Sequence, residues 1–485
     1  GWARVITDSR GGIGSSKLDL GAGSPAWLLL LLPLAWRRRM PPLRKPRLIA
    51  LLVLVFGVTQ AQALENIIYV NSGSDALVTV PGDTFCTLRE ALNTARNDQA
   101  NLTRGDCRNG NEGPDVIEFL FPPTLNPLSL PAHISVDNPV TPTVYTFTVT
   151  LSGPLIAYGG VTLRCPQAPA DQNYRFECLV TRPNAPTDPA FALIDSLGGI
   201  TVERMILANG DAGANNDGGA INSRGGVVAR NSVFRDNVAR TGGAIFLRGL
   251  RSDLAVYEST FERNESTGVG NQGGGAIATS AGDEHQVKIR GSTFVDNRSA
   301  ASAAALRIST VRPVVISNST FSGNQSTAGA GAIDISGASG GVTLRNLTIV
   351  DNLSGDDGVQ RGALEVGTRA PVLANSVVAA NYATSNPALD ANCGAGAISS
   401  FFSLYGESFA GATCLLDPTD SWQLDTDVFG TNPLTDLLGP LQDNGGDTMT
   451  HAPNTTTSGG IILDAGYNLD ANDNLVDPLD AVSPK

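Results

Sequence analysis

The chain has 485 residues, with 33 Lys and Arg against 46 Asp and Glu, 54 Gly, 28 Pro and 41% apolar residues. The apolar fraction argues against a disordered chain, and the Gly and Pro content argues against long helices and coiled coils. Residues 64–485 carry 24 basic and 44 acidic residues, a net charge of −20, which argues against electrostatic binding to nucleic acid.

The first 63 residues have the pattern of an export signal preceded by extra sequence. No Met precedes Met40, so residues 1–39 are expected to lie upstream of the natural start. In residues 40–63 a basic stretch is followed by the apolar run Leu48–Val58 and an A-x-A site ending at Ala63, as in secretory signal peptides. This run is shorter than the about 20 residues that span a membrane. We therefore expect a mature chain without a transmembrane segment, secreted or held at the cell surface or outer membrane.

Six cysteines follow the signal and fall into three sequential pairs. An even number of cysteines in an exported chain predicts disulfides, and the short separations favour local pairing. No C-x-x-C motif is present, which argues against a thiolate metal or redox site. The expected bridges are Cys86–Cys107, Cys165–Cys178 and Cys393–Cys414.

A short amphipathic helix is predicted near the front of the mature chain. Thr87 and Glu90 form a capping-box pattern, and Leu88, Ala91, Leu92 and Ala95 fall on one helical face. Such a helix can cover the exposed core and the open strand edges at the end of a stacked β structure. An alternative reading, Arg89 with Glu90 as a catalytic ion pair, is weaker.

A repeat of 27 to 33 residues occupies residues 200–381. Each unit ends in an Asn, giving the column Asn209, Asn237, Asn264, Asn297, Asn324, Asn352 and Asn381. Three residues earlier lies an apolar column, Ile206, Phe234, Phe261, Phe294, Phe321, Ile349 and Val378. Columns in fixed register predict stacked structural units. We expect the four Phe rings to stack inside the core and the Asn side chains to bond along the stack.

Each unit contains three short predicted strands. Apolar residues seven and five positions before the apolar column, such as Val227 and Ala229, have the period of a strand. These positions are an odd number of residues from the apolar column, so an extra residue must reverse the alternation for both to face the core. Residues suited to a bend stand between them: Asn231, Gly291, Asn318, Asn346 and Asn375. The third strand follows each Asn, around Ile221, Ile245, Ile277, Leu306, Ile333 and Leu364.

Three strands per unit predict an all-β fold, a single-stranded parallel β-helix over residues 111–392. One coil cannot bury its apolar face alone, whereas stacked coils pair their strands at about 4.8 Å and enclose a continuous core. The separation between each Asn and the next third strand varies from 8 to 13 residues. Variable loops are therefore expected at that corner, which in solenoids is often the binding side.

Several segments resemble known secreted bacterial proteins. The F-x-x-N and G-G-A-I pairs resemble the repeats of polymorphic outer-membrane proteins, which form right-handed parallel β-helices of the pectin-lyase-like type. CTLREALNTARN at Cys86–Asn97 resembles the CSLREA segment, and LGPLQDNGGDTMTHA at Leu438–Ala452 with ILDAG at Ile462–Gly466 resembles a choice-of-anchor module. The resemblance implies an N-terminal cap over residues 64–110 and a C-terminal module over residues 393–485. The atypical tail LVDPLDAVSPK leaves the mode of surface attachment open.

The usual catalytic motifs are weak in this sequence. His133, His285 and His451 lie in unrelated segments and are expected at the surface or in turns. The G-x-S-x-G match at residues 337–341 lacks a strand-to-helix elbow, and the G-x-G-x-x-G match at residues 268–273 is not followed by a helix pattern. Both are interpreted as loops, so no catalytic or cofactor-binding residue is assigned.

Calcium is the one metal for which candidate sites arise. Asp236, Asp296 and Asp351 share a column but occupy alternate turns, about 9.6 Å apart, which is too far to chelate one ion easily. The loop Asp211–Asp217 and the tail Asp470–Asp477 have better spacing, although neither ends in the Glu of an EF-hand. Solvated Asx-rich turns are the simpler interpretation.

Two classes of function remain. The preferred hypothesis is a non-catalytic exported β-helix that serves as a surface adhesin or as a structural or glycan-binding protein, with a polysaccharide or cell-surface glycan as partner. The alternative is a carbohydrate-active enzyme, a polysaccharide lyase, hydrolase or epimerase, which would need a basic cleft beside carboxylates. The regular repeats show no such cluster, and residues 361–369 near Asp356 and Asp357 are the best remaining candidate.

Overall fold

The structure is a computed structural model, and it describes residues 66–75, 85–97, 107, 115–384 with short gaps, and several segments of residues 386–453. The proposed upstream stretch, the signal peptide, residues 356–361 and 368–370, the ILDAG motif and the acidic tail Asp470–Asp477 lie outside the described residues. The expectations for these segments remain predictions, as do the proposed domain boundaries.

The described residues form one helix, α1 (Leu88–Asn97), and 39 short strands. In chain order the strands of the first half are β1 (Asn66–Val70), β2 (Asp115–Phe119), β3 (Ile134–Asp137), β4 (Thr143–Thr150), β5 (Leu155–Ala157), β6 (Val161–Arg164), β7 (Tyr174–Thr181), β8 (Ile194–Ser196), β9 (Ile200–Glu203), β10 (Met205–Ala208), β11 (Ile221–Ser223), β12 (Val227–Arg230), β13 (Val233–Arg235), β14 (Val238–Ala239), β15 (Ile245–Leu247), β16 (Leu254–Tyr257), β17 (Thr260–Glu262), β18 (Glu265–Ser266), β19 (Ile277–Thr279) and β20 (Val287–Arg290).

The strands of the second half are β21 (Thr293–Val295), β22 (Arg298–Ser299), β23 (Leu306–Ser309), β24 (Val314–Ser322), β25 (Gln325–Ser326), β26 (Ile333–Ser336), β27 (Val342–Val350), β28 (Leu353–Ser354), β29 (Leu364–Val366), β30 (Val372–Ala374), β31 (Val377–Ala379), β32 (Tyr382–Ala383), β33 (Asn386–Asp390), β34 (Gly396–Phe401), β35 (Leu404–Tyr405), β36 (Cys414–Leu416), β37 (Trp422–Gln423), β38 (Leu438–Gln442) and β39 (Thr450–Pro453).

These strands wind into a parallel coil, in which each turn stacks on the previous one. The main sheet contains the first two strands of each turn; β12, for example, pairs in parallel with β9 and β16. One further strand per turn builds the eight-stranded sheet β5-β8-β11-β15-β19-β23-β26-β29, and short strands at a corner build the seven-stranded sheet from β14 to β33. The predicted all-β parallel β-helix with a short helix at its front is thereby confirmed.

The Phe column fills the core as expected from its spacing. Phe234, Phe261, Phe294 and Phe321 lie in register on successive turns and are fully buried. Their rings stack nearly parallel, with centroids 4.6, 4.9 and 4.8 Å apart. One apolar cluster extends from the first strand to the last regular turn, because every turn contributes side chains to the same inward columns.

The Asn column forms a buried ladder along the same turns. Asn297 illustrates the pattern: its Oδ1 accepts from the backbone N and from the Nδ2 of Asn264, both at 3.0 Å. Its Nδ2 donates to the carbonyl of Phe261 at 2.9 Å and to Oδ1 of Asn324 at 2.9 Å. The ladder runs through the fully buried residues Asn237, Asn264, Asn297, Asn324, Asn352 and Asn381 and ends on Asn392.

Asn209 is not a member of this ladder, and the sequence alignment of that turn is wrong by one residue. Leu207 pairs with Phe234, so Leu207 rather than Ile206 occupies the apolar column. The ladder position falls on Gly210, whose backbone N donates to Oδ1 of Asn237 at 2.9 Å. A side chain would not fit there, since a Cβ on Gly210 would lie 2.0 Å from the carbonyl oxygen of Gly219.

The predicted bends are present in the backbone. Asn231, Gly291, Asn318, Asn346 and Asn375 have φ between 46° and 60°, the left-handed conformation that Gly and Asn tolerate best. Two further bends on other turns are formed by Arg204 and Glu258, which sequence analysis did not select. The reversal lets the residues on both sides of the bend point into one core.

Loop length varies at two corners rather than one. The separations between each ladder residue and the next strand of the eight-stranded sheet vary, as expected. The separation from that strand to the next turn also varies, from six residues between Ile221 and Val227 to ten between Ile277 and Val287. Loops of unequal length therefore border the eight-stranded sheet on both sides.

Helix α1 closes the front of the coil. The backbone N of Thr87 donates to Oε2 of Glu90 at 3.0 Å, and the backbone N of Glu90 donates to Oγ1 of Thr87 at 3.2 Å, which completes the capping box. Leu88, Ala91 and Leu92 are buried in the core cluster. The helix thus shields the first turn from solvent.

Two of the predicted disulfides are present. Cys86–Cys107 and Cys165–Cys178 join Cα atoms 4.8 and 5.6 Å apart, and all four residues are buried. Cys393 is also disulfide-bonded. The side chain of Cys414 lies outside the described residues, so the third pairing remains a prediction.

The hairpin β38–β39 packs against the outside of the main sheet. Thr293 donates through Oγ1 to the carbonyl of Met449 at 2.6 Å, and Thr448 donates to the carbonyl of Gly291 at 3.2 Å. His451 lies 3.0 Å from the Oγ of Ser322. Thr293 and Ser322 are therefore buried although both point outward.

Candidate functional site: a groove on the eight-stranded sheet

A groove of about 410 Å³ lies on the outer face of the eight-stranded sheet, near its front end. Successive turns place two outward columns on its floor, because alternate residues of a strand point to the same side. The first column is Ile156, Asp195 and Asn222. The second follows two residues later on the same turns and consists of Tyr158, Leu197, Arg224 and Arg248.

The loop that follows the ladder position forms one wall of the groove. Ala212, Asn216 and Asp217 from this loop line the groove together with Phe191. This loop is one of those whose length varies from turn to turn, so the expectation that variable loops border a binding site agrees with this placement.

The carboxylates in the groove have defined partners. Asp217 forms a two-point ion pair with Arg240, with N–O distances of 2.9 and 2.8 Å, and this hydrogen bonding raises the pKa of Arg240. Asp195 accepts a hydrogen bond from Nδ2 of Asn222 at 3.1 Å. Within the described part of the chain, Asp195 has no ion-pair partner.

The arginines of the second column differ from Arg240. Neither Arg224 nor Arg248 forms an ion pair with any described residue. The Nε atom of Arg248 and the Oδ1 atom of Asn222 are buried without a hydrogen-bond partner among the described atoms. Leaving such groups unpaired costs about 1–3 kcal/mol each, more for a charged group.

Helix α1 supports the front wall of the groove. The guanidinium of Arg96 lies 3.7 Å from the ring centre of Tyr158, a cation–π arrangement. Arg89 donates to the carbonyls of Gly153 and Pro154 at 2.8 and 2.7 Å and forms an ion pair with Asp75 at 2.8 Å. Arg89 therefore has a structural role, and Glu90 is occupied by the helix cap, so the two do not form a catalytic pair.

A smaller hollow of about 180 Å³ lies further along the same sheet. Asp334 accepts from Ser302 at 3.0 Å and lies 3.7 Å from Nε of Arg307. Phe246 and Ala278 occupy the outward positions between the two hollows and are both buried. The hollow is therefore separate from the groove.

The candidate calcium loop Asp211–Asp217 forms ion pairs with two arginines. Asp211 pairs with Arg182 at 3.2 Å and Asp217 pairs with Arg240, so the two end carboxylates of the loop Asp211–Asp217 are neutralised from outside it. In the described residues no group of three or more His, Cys, Asp or Glu side chains is arranged to hold a metal ion.

The column of Asp236, Asp296 and Asp351 lies at bends with φ between 54° and 56°. Arg263 stands on the intervening turn and donates to both carboxylate oxygens of Asp236, at 2.8 and 3.1 Å, which raises the pKa of Arg263. The column is thus an element of the bend, consistent with the long spacing of its carboxylates.

Two of the three histidines, His285 and His133, differ in their surroundings. His285 was expected at the surface or in a turn; it lies in a loop but is fully buried, with its Nδ1 2.9 Å from the carbonyl of Ser252 and its Nε2 3.4 Å from Oγ of Ser280. The loop before β20 folds over this ring. His133 is half-buried against Phe147, and burial lowers its pKa.

The two glycine motifs are loops, as interpreted. Ser339 of the G-x-S-x-G match donates to the carbonyl of Val311 at 3.0 Å. The G-x-G-x-x-G match runs into a turn of the coil without a helix. Residues 361–369, the sequence candidate for an arginine and carboxylate cluster, lie partly outside the described residues.

The groove was not predicted, although the sequence contains a usable signal for it. Arg224 and Arg248 each follow the Ile of the third strand by three residues, in the segments INSRG and IFLRG. Extending the repeat alignment past that Ile would have placed the two arginines side by side on one face. The conclusion that the repeats contain no cluster of arginines beside carboxylates is therefore wrong for these turns.

Comparisons with known proteins support the architecture. Residues 190–352 match the family model described as a right handed beta helix region. Neither the search of curated proteins nor the search of solved structures found a match. Within the described residues, no helix has the length and apolar character needed to cross a membrane. Together with this match over residues 190–352, the parallel coil shows a right-handed parallel β-helix fold.

Proposed function

We propose that this protein is exported and binds carbohydrate in the groove on the eight-stranded sheet, as an adhesin or another glycan-binding surface protein. The observation that carries the proposal is the combination of an exposed tyrosine ring with polar groups that lack partners. Tyr158 is 37% exposed, and Arg248 and Asn222 each present a buried atom without a described partner.

This combination suits a sugar. Carbohydrate hydroxyls both donate and accept hydrogen bonds, so they can serve the amide oxygen of Asn222 and the guanidinium of Arg248 at once. The apolar face of a sugar ring can pack on an aromatic ring such as Tyr158, whose other face Arg96 occupies. A concave site with apolar lining and few convergent polar groups is the usual form of a binding pocket.

Export is part of the proposal. Disulfides form and persist outside the cytoplasm, and two bridges are closed in the described residues. The signal-like segment and the similarity to CSLREA and choice-of-anchor segments support the same view. A surface location would bring the groove into contact with extracellular glycans.

A carbohydrate-active enzyme is the second candidate, and one observation favours it. Asp195 and Asp217 line the same groove, and glycosidases use two carboxylates about 5 to 9.5 Å apart. However, Asp217 is held by Arg240 in a two-point ion pair. Binding without cleavage fits this arrangement better, because catalysis would require that carboxylate to be available.

A glycan array probed with the full chain tests the proposal, with reducing-sugar release measured on the same panel. We expect selective binding without release, and a loss of binding in Tyr158→Ala. Tyr69→Ala is the matched control, because Tyr69 is 45% exposed and does not line the groove.

Binding that survives Tyr158→Ala would contradict the assignment of the groove. Turnover of any glycan that is abolished by Asp195→Asn would instead establish the enzyme.

A further inference from the structure

We propose that the groove selects glycans that carry an anionic group, a carboxylate or a sulfate, and that Arg224 and Arg248 bind this group. The inference rests on the proposed function and adds the chemical class of the ligand. It follows from three observations: the two arginines lie at the same position of neighbouring turns, they have no ion-pair partner among the described residues, and the rest of the protein is acidic.

The two arginines lie at the same position of neighbouring turns. The backbone N of Arg224 donates to the carbonyl of Ser196, and that of Arg248 donates to the carbonyl of Ser223, so the two residues follow each other in the ladder. Neighbouring strands are about 4.8 Å apart, and like charges placed directly opposite each other destabilise a sheet. An anion between the two guanidinium groups would remove this repulsion.

Arginines close to the groove are neutralised by carboxylates, whereas these two are not. Arg182 pairs with Asp211, and Arg240 pairs with Asp217. Arg224 and Arg248 have no such partner among the described residues, and the Nε of Arg248 is buried without an acceptor. A planar guanidinium binds a carboxylate or a sulfate through paired hydrogen bonds, which satisfies this atom.

The local charge contrasts with that of the whole chain. Arg224 and Arg248 line the groove with Asp195 and Asp217, and Asp217 is neutralised by Arg240 from outside the lining, which leaves one positive charge there. Residues 64–485 carry a net charge of −20. An acidic surface repels a polyanion, so an anionic ligand would be held at this groove rather than over the general surface.

The polar groups of the groove would bind two different parts of the glycan. Asn222 lies one turn before Phe246 and next to Asp195, and its free Oδ1 requires a donor such as a sugar hydroxyl. Asp195 also accepts hydrogen bonds. These groups would orient the neutral part of the sugar while the arginines hold its acidic group.

Paired oligosaccharides test the inference directly. Uronic-acid oligosaccharides, their carboxyl-reduced neutral counterparts and sulfated glycans are compared on one array, and the affinities of hits are measured by calorimetry. We expect the acidic or the sulfated member to bind about tenfold more tightly than its neutral counterpart, because hydrogen bonds between a guanidinium and an anionic group are stronger than those to a neutral hydroxyl. The better of the two identifies the anionic group.

Matched variants separate the groove from general charge. Arg224→Gln and Arg248→Gln should each lower the ratio of acidic to neutral binding towards one. Arg251→Gln is the control, since Arg251 lies three residues from Arg248, is 77% exposed, pairs with Glu284 and does not line the groove. Thermal unfolding of each variant verifies that it is folded.

The outcomes distinguish this inference from the function on which it rests. Equal binding of acidic and neutral partners would overturn the inference and leave glycan binding intact. The absence of any glycan binding by the unmodified chain would overturn both. Equal losses in Arg251→Gln and Arg248→Gln would show attraction to general positive charge and would also overturn the assignment.

Discussion

The inward and outward sides of the same strands differ in how strictly they repeat. On the inward side of the eight-stranded sheet, one column consists of Leu155, Ile194, Ile221, Ile245, Ile277, Leu306, Ile333 and Leu364. The neighbouring outward column consists of Ile156, Asp195, Asn222, Phe246, Ala278, Arg307, Asp334 and Glu365. The inward side keeps Ile or Leu at every turn, and the outward side changes at nearly every turn.

This difference follows from what each side contacts. An inward side chain packs against the same position on the turns before and after it, so a different shape or an unpaired polar group is costly on both sides. An outward side chain contacts solvent, loops or a ligand, and neighbouring turns can differ. Binding chemistry is therefore expected where the outward columns become polar, as in the groove.

The largest effect is expected for a break in the inward Phe stack. Phe294→Ala should lower the free energy of unfolding by about 3–5 kcal/mol, because Phe294 is fully buried between two rings and its loss leaves a cavity. Urea denaturation gives the value. Leu250→Ala is the control, since Leu250 is 79% exposed and its loss should change stability little.

The next effect is expected at an irregular turn rather than in the stack. Replacing both Cys165 and Cys178 with Ala should cost about 3 kcal/mol, because the bridge closes a short loop between β6 and β7. Thermal unfolding with and without reductant measures it. Reductant should lower the unfolding temperature of the unmodified protein more than that of the double variant, and equal shifts would contradict a structural role for this bridge.

The ladder provides a smaller, polar counterpart to the Phe stack. Asn297→Leu should cost about 1–3 kcal/mol, since it leaves the backbone N of Asn264 and the carbonyl of Phe261 without their partners. Gln325→Leu, at an exposed position beside the ladder, is the matched control. Stability unchanged in Asn297→Leu relative to this control would argue that the ladder contributes no net free energy.

The same contrast explains how much could be predicted. The Phe and Asn columns were readable because stacking keeps one residue type at one spacing. The first unit of the repeat was misaligned because two neighbouring residues compete for the ladder position. Asn209 forms the bend, and Gly210 takes the ladder position without a side chain. The burial of His285 was not predicted because it depends on how a loop folds, and that contact has no period in the sequence.

The groove was harder to predict than the core for a related reason. Its residues come from several turns and from a variable loop, and one of them, Tyr158, is held by Arg96 of α1, so no single segment contains its pattern. Only the side-by-side placement of Arg224 and Arg248 could have been inferred, because both follow a readable column at a fixed distance. The wall formed by Asn216 and Asp217 depends on loop conformation.

A functional effect without a large change in stability is expected on the outward side. Arg96→Gln should weaken glycan binding at the groove, because it removes the guanidinium that lies against the ring of Tyr158. Exposed cation–π contacts contribute about 0.5–1 kcal/mol, so a loss of about twofold to fivefold in affinity is expected. Arg230→Gln is the control, since Arg230 contacts Tyr257 in the same manner but outside the groove.

The smallest effect concerns the dependence of stability on pH at the front of the coil. Burial lowers the pKa of His133 below the ordinary value of about 6.5, so the unfolded chain binds a proton at a higher pH than the folded one. Stability from this group is therefore present above pH 6.5 and is lost as the pH falls through the unfolded and then the folded pKa. His133→Gln should lose less stability than the unmodified protein between pH 7.5 and pH 5.5, whatever packing against Phe147 it gives up at both values. Urea denaturation at the two pH values, with Lys288→Gln as a control that does not titrate in this window, measures the difference; an identical pH dependence in His133→Gln and the unmodified protein would exclude this source.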